Sequence, residues 1–106
     1  MYDWVKLVTR SGQTVSSPSQ SELERALIEL FSSPLDEEHP DSWIECGSEG
    51  GPLHTLSIFQ SGKALYVRYS DADMSAEEAK SQFPVGGVAE AMSLWNALIE
   101  GRHPAL

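Results

Sequence analysis

The chain has 106 residues, enough for one hydrophobic core and too few for two, and carries a formal net charge of −9. Such an acidic chain lacks the basic face that direct nucleic-acid binding requires, while its 41% hydrophobic content suits a folded domain rather than a disordered one. No apolar run approaches the roughly 18 residues of a membrane span. The start Met1-Tyr2-Asp3-Trp4 has neither the basic flank nor the apolar stretch of a signal peptide, so the expectation is one cytoplasmic domain over residues 1–106.

Tyr2 to Thr9 is rich in aromatic and β-branched residues and predicts a strand, ended by the turn Arg10-Ser11-Gly12-Gln13. Ser17-Pro18-Ser19-Gln20 predicts a helix start with Ser17 as N-cap, Pro18 at the first helical position and Gln20 closing a capping box. Ser19 with Glu22 is an alternative box two residues on. Leu23, Ala26, Leu27, Leu30 and Phe31 follow at the spacing of one helical face, and Ser32-Ser33-Pro34 ends it.

A polar stretch, Asp36 to Asp41, has turn chemistry without apolar periodicity. Three short strands are expected next: Trp43 to Cys46, Leu53 to Phe59 and Lys63 to Tyr69. Their connections, Gly47 to Pro52 and Gln60-Ser61-Gly62, are too short for parallel crossovers, so an antiparallel meander is the economical arrangement. In the third of these strands Leu65, Val67 and Tyr69 share one face, with Ala64, Tyr66 and Arg68 on the other.

Ser75-Ala76-Glu77-Glu78 reads as a further capping box opening a short helix as far as Gln82, broken by Pro84 and Gly86-Gly87. The last helix is traced by Val88, Ala91, Met92, Trp95, Leu98 and Ile99. Gly101 stands where a left-handed C-cap belongs, Arg102 and His103 suit the negative helix end, and Pro104 prevents continuation. The expected fold is α+β: a small antiparallel β-sheet with an N-terminal and a C-terminal helix packed on one face.

Cys46 is the only cysteine, so no internal disulfide is available, and its place in the alternation Trp43-Ile44-Glu45-Cys46 reads as a buried structural thiol. His39, His54 and His103 are far apart and have no partner at metal-ligand spacing. The glycines from Gly47 to Gly51 lack the Gly-Lys-Ser/Thr end of a phosphate loop and join two strands instead of opening a helix. No Gly-x-Ser-x-Gly elbow is present. Nothing nominates a catalytic residue, a metal site or a cofactor, and the chain is read as a binding protein rather than an enzyme.

The informative feature is the placement of acid. Asp36, Glu37, Glu38, Asp41, Glu45 and Glu49 run without an intervening Lys or Arg, and Asp71, Asp73, Glu77 and Glu78 form a second such group. Scattered solvated charge is the plain reading; convergence into one negative surface that steers a basic partner is the sharper one.

From the first helix onward the chain resembles the Imm1 family of bacterial immunity proteins. The resemblance is carried by the helix Ser21-Glu22-Leu23 to Phe31, then Trp43-Ile44, then Glu49-Gly50-Gly51-Pro52-Leu53 leading into Leu56-Ser57-Ile58-Phe59. Gly62 and Leu65-Tyr66-Val67-Arg68-Tyr69 follow, and Val88-Ala89-Glu90-Ala91, Leu94-Trp95 and Gly101-Arg102-His103-Pro104 close it. Two departures stand beside it: members often carry a Trp after the Gly-x-x-Pro segment, where this chain has Ala105-Leu106, and the segment from Ser70 to Phe83 is compact.

The resemblance implies a protein that binds a cognate toxin of a polymorphic toxin system, for some members a nucleic-acid deaminase, and blocks its active site or substrate path. A toxin acting on nucleic acid tends to carry a basic groove, which an acidic inhibitor can occupy in place of phosphate. Charge and loop placement nominate Glu37, Glu38, Asp41, Glu49, Asp71 and Asp73 as partner contacts, with Trp43 as an aromatic anchor. A non-toxic interaction module, such as an adaptor subunit of a secretion system, is the alternative. A small enzyme would need a deep polar pocket gathering His54, Cys46 or a buried carboxylate.

Overall fold

Eight elements follow in chain order in the computed structural model, which describes residues 2–34, 41–71, 73–74 and 76–101. They are β1 (Trp4–Val8), β2 (Thr14–Ser16), α1 (Gln20–Ser32), β3 (Asp41–Gly47), β4 (Leu53–Phe59), β5 (Lys63–Tyr69), β6 (Glu77–Pro84) and α2 (Val88–Ile99). The strands form one six-stranded sheet in the order β2-β1-β3-β4-β5-β6, with every neighbouring pair antiparallel. The class is α+β, as the sequence predicts, and the meander from β3 to β5 keeps the expected bounds to within two residues.

Three expectations need correction. In the segment read as a helix from Ser75 to Gln82, the residues from Glu77 onward belong instead to the strand β6, paired with β5 across an irregularity at Arg68/Tyr69. Glu77, Glu78, Ala79, Lys80 and Gln82 are sound helix formers, yet the backbone of β5 offers a full ladder of partners, and tertiary pairing outweighs local preference. The N-cap of α1 is Ser19, whose hydroxyl accepts from the Glu22 N–H at 3.2 Å while the Glu22 carboxylate accepts from the Ser19 N–H at 2.9 Å. The first expectation, Ser17, fails because Ser17 lies at φ +50°, outside the extended conformation an N-cap adopts. The third is an omission: the short β2 pairs with β1 just after the Arg10 to Gln13 turn.

The core follows from the register. Leu7, Ile44, Leu56 and Tyr66 stand side by side across β1, β3, β4 and β5, with Cys46 two residues on from Ile44 and Ile58 two on from Leu56, so all point to one side. These residues belong to one buried cluster with Leu23, Ala26, Leu27 and Leu30 of α1 and Ala91, Trp95 and Leu98 of α2. Each fully buried Leu or Ile contributes about 1.5–3 kcal/mol relative to exposure. Trp95, wholly buried, donates its indole N–H to the Leu56 carbonyl at 2.9 Å, which ties α2 to the middle of the sheet.

The helices are also joined to each other. The Gln20 and Asn96 side-chain amides exchange two hydrogen bonds, at 2.7 and 3.0 Å. The end of α1 is held from the β4–β5 turn, where the Gln60 amide nitrogen donates toward the Leu30, Ser33 and Pro34 carbonyls at 3.0, 2.6 and 3.0 Å. A helix end leaves such carbonyls without intrahelical partners, so Gln60 acts as a cap supplied from elsewhere in the chain. At the far end of α2, Gly101 adopts φ +83°, the left-handed conformation expected of it. Arg102, His103 and Pro104 lie outside the described residues, as does the polar stretch up to Pro40. No helix among the described residues is long and apolar enough to cross a membrane.

Candidate functional site

Strand alternation that sends Ile44 and Cys46 into the core sends Asp41, Trp43 and Glu45 to the opposite side. Register then sets Trp43 beside Ser57 and Glu45 beside Thr55 on β4, and Leu53 beside Tyr69 on β5. Together with Met74 from the β5–β6 loop, Asp41, Trp43, Glu45, Thr55, Ser57 and Tyr69 line an open groove of about 250 Å³. Its lining comes from β3, β4, β5 and that loop, with no residue from either helix. Met74, 44% exposed, is held at φ +57° and its N–H donates to the Asp71 carbonyl at 3.2 Å.

The groove combines aromatic, hydroxyl and carboxylate groups. The Trp43 indole N–H donates to a Glu45 carboxylate oxygen at 3.1 Å, which fixes both side chains in the groove wall. Burial raises the Asp41 carboxyl above the ordinary carboxylate range, partly offset by a hydrogen bond from its own backbone. Among the described residues, no Lys or Arg forms an ion pair with Asp41 or Glu45. Lys6 stands opposite Glu45 across β1 and β3 without closing such a pair, and Lys63 lies over the Phe59 ring, 5.5 Å from its centroid.

Of the residues nominated from sequence, Asp41 and Trp43 meet in this groove. Glu49 lies in the β3–β4 loop, where its N–H donates to the Asp3 carboxylate at 2.7 Å. Asp71 and Asp73 lie in the β5–β6 loop, with the Asp73 N–H donating to an Asp71 carboxylate oxygen at 3.0 Å. Those two loops leave the same end of the sheet, where Gly47, Leu53, Tyr69 and Glu77 are aligned, and Asp41 sits at the other end of β3 opposite Phe59. Of these four acids only Asp41 lines the groove, while Met74 brings the second loop to its rim. Glu37 and Glu38 lie outside the described residues. Glu45, Thr55, Ser57, Tyr69 and Met74 were not nominated; aligning the alternations of three strands in register finds all but Met74.

The groups that a small enzyme would gather lie elsewhere. His54 is buried, with Nδ1 2.8 Å from the Tyr66 hydroxyl and the Tyr2 ring edge-on at 5.4 Å. The Cys46 thiol, pushed up to about 12 by burial and then by the Glu45 charge, stays protonated at neutral pH. No group of three His, Cys, Asp or Glu side chains is placed to hold a metal ion among the described residues. A smaller hollow of about 140 Å³ lies between the β1–β2 hairpin and α1, lined in part by Gln13, Glu22 and Arg25. No protein-family model, curated protein or solved structure matches the chain.

Proposed function

We propose that the chain is an immunity-type protein that binds a toxin domain with a basic substrate face and blocks its active site or substrate path. In this reading both helices cover one face of the sheet, and the partner takes the other. The supporting observation is the groove itself, which places a hydrogen-bonded Trp43, Tyr69 and the exposed Met74 beside two carboxylates without paired cations among the described residues. Aromatic side chains and methionine are enriched at protein interfaces, and a ring of charge around such anchors steers encounter. At about 250 Å³ the groove lies below the 300–1,000 Å³ usual for small-molecule pockets, which favours a protein partner over a substrate.

Glu49, Asp71 and Asp73 supply the steering charge in this scheme, acting in the cytoplasm where an incoming toxin meets its target. Co-expression with a toxin domain recovered by pull-down from the native host is the test. Rescue of growth, together with a stoichiometric complex on gel filtration, supports the proposal. A toxin that remains fully active in the presence of excess folded protein overturns it.

A further inference from the structure

We propose that the groove between β3 and the β5–β6 loop is a receptor for a single arginine side chain of the partner, with the guanidinium set between the Asp41 and Glu45 carboxylates and against an aromatic wall. The inference rests on the reading of the chain as a binding protein and names the chemistry that this face recognises.

The argument is one of charge complementarity. A carboxylate removed from water is costly unless a cation or several donors meet it. Asp41 is half-buried and pairs with no cation among the described residues, and Glu45 receives one neutral donor, the Trp43 indole. Of the cations around this face, Lys63 rests on Phe59 and Arg68 points to the core side of β5, where it meets Glu78 at 3.4 Å. Lys6, opposite Glu45, and Lys80, opposite Val67, share the groove's side of the sheet without forming an ion pair with either carboxylate among the described residues. The groove therefore presents two carboxylates without an ion-pair partner among the described residues, inside a partly desolvated cleft.

The remaining lining selects among cations. A guanidinium is planar, donates five N–H groups in a fixed fork and stacks on aromatic faces. Trp43 and Tyr69 supply such faces, Thr55 and Ser57 supply hydroxyl oxygens on the floor, and Met74 supplies a soft, apolar edge for the methylene stem. A lysine ammonium is compact and strongly hydrated, and uses the flat aromatic wall less well. The Trp43–Glu45 hydrogen bond holds one carboxylate in place before the partner arrives, which lowers the ordering cost of the contact.

The test is a titration of the isolated protein with N-acetyl-arginine methylamide and with its citrulline and lysine counterparts, followed by amide and indole N–H chemical shifts. The arginine derivative is expected to move the Trp43 indole resonance saturably, with citrulline, which keeps the shape and loses the charge, binding about tenfold more weakly or worse. In Asp41→Asn/Glu45→Gln the arginine derivative should fall to the citrulline level while core resonances stay in place. Citrulline or lysine binding as well as arginine overturns the proposal, as do shifts centred on Glu49 and Asp71 instead of the groove. The titration needs neither toxin nor cells. Growth rescue by a protein that fails it discards the arginine groove alone, and arginine binding by a protein that gives no rescue discards the immunity reading alone.

Discussion

Gly47→Ala is the sharpest single test of how the groove-side face is built. Gly47 is the last residue of β3, stands directly opposite Trp4 of β1, and is buried. A Cβ placed there would lie 2.4 Å from Trp4 Cζ2, 2.7 Å from Cε2 and 3.0 Å from Nε1. Carbon atoms meet comfortably at about 3.5–4.0 Å, so the indole must retreat by roughly 1 Å or swing away. Overpacking of this kind costs about 1–3 kcal/mol. Against that, alanine lowers the entropy of the unfolded chain and returns about 0.4–1 kcal/mol, since Gly47 does not use a left-handed backbone. The net expectation is a loss of about 1–2 kcal/mol, read as a lower urea midpoint with unchanged slope, and a change in tryptophan emission. In a Trp4→Val background the clash disappears, and Gly47→Ala should become neutral or mildly stabilising, giving a coupling of about 1–3 kcal/mol. A wild-type-background Gly47→Ala that is as stable as the parent, with unaltered emission, would refute the packing of Trp4 over Gly47.

Alkaline pH should destabilise the fold. Burial pushes the Tyr2 hydroxyl from 10.0 up to about 12, and the Cys46 thiol from 9.0 up to about 12, with Tyr66 raised in the same direction. The unfolded chain releases these protons first, so their contribution is complete below pH 9 and is lost progressively as pH rises toward 12. Urea midpoints taken from pH 8 to 11 measure this. The Tyr2 hydroxyl is buried without a hydrogen-bond partner among the described residues, so Tyr2→Phe should hold or raise stability at pH 8 by up to about 1 kcal/mol and flatten the alkaline decline. Gln60→Ala should free the last turn of α1, costing about 1–2 kcal/mol and raising amide exchange at Ser32 and Ser33, whereas exchange unchanged there would deny the turn its capping role.

Much of the architecture was legible because its signals are local. Short connections dictate antiparallel pairing, and the stripes Leu23 to Leu30 and Ala91 to Leu98 mark the buried sides of the helices. β6 was illegible for a specific reason. Its inward-facing positions are Ala79, Ser81 and Phe83, two of them small, so the alternation that marks a strand barely registers beside strong helix formers. β2 carries a single apolar residue, Val15, and owes its existence to β1. The choice between Ser17 and Ser19 turned on a backbone angle that composition does not encode. Asp41 and Trp43 were nominated from charge and aromatic character, but Glu45, Thr55 and Ser57 join them only once the strand registers are known.

The strand order has a consequence for how the chain reaches this structure. From β3 to β6 each strand pairs with its successor across a short loop, so these four can zip up locally at small entropic cost. β1 is the exception: it pairs with β3 across the whole of β2 and α1, and that single long closure carries the main topological penalty. The β1–β2 edge is therefore the natural place for the sheet to open first and to close last. The groove's carboxylates lie on β3, its hydroxyls on β4 and its aromatic rings on β3 and β5, on the locally closing side of that divide. Transient opening of the other edge leaves the groove's lining assembled.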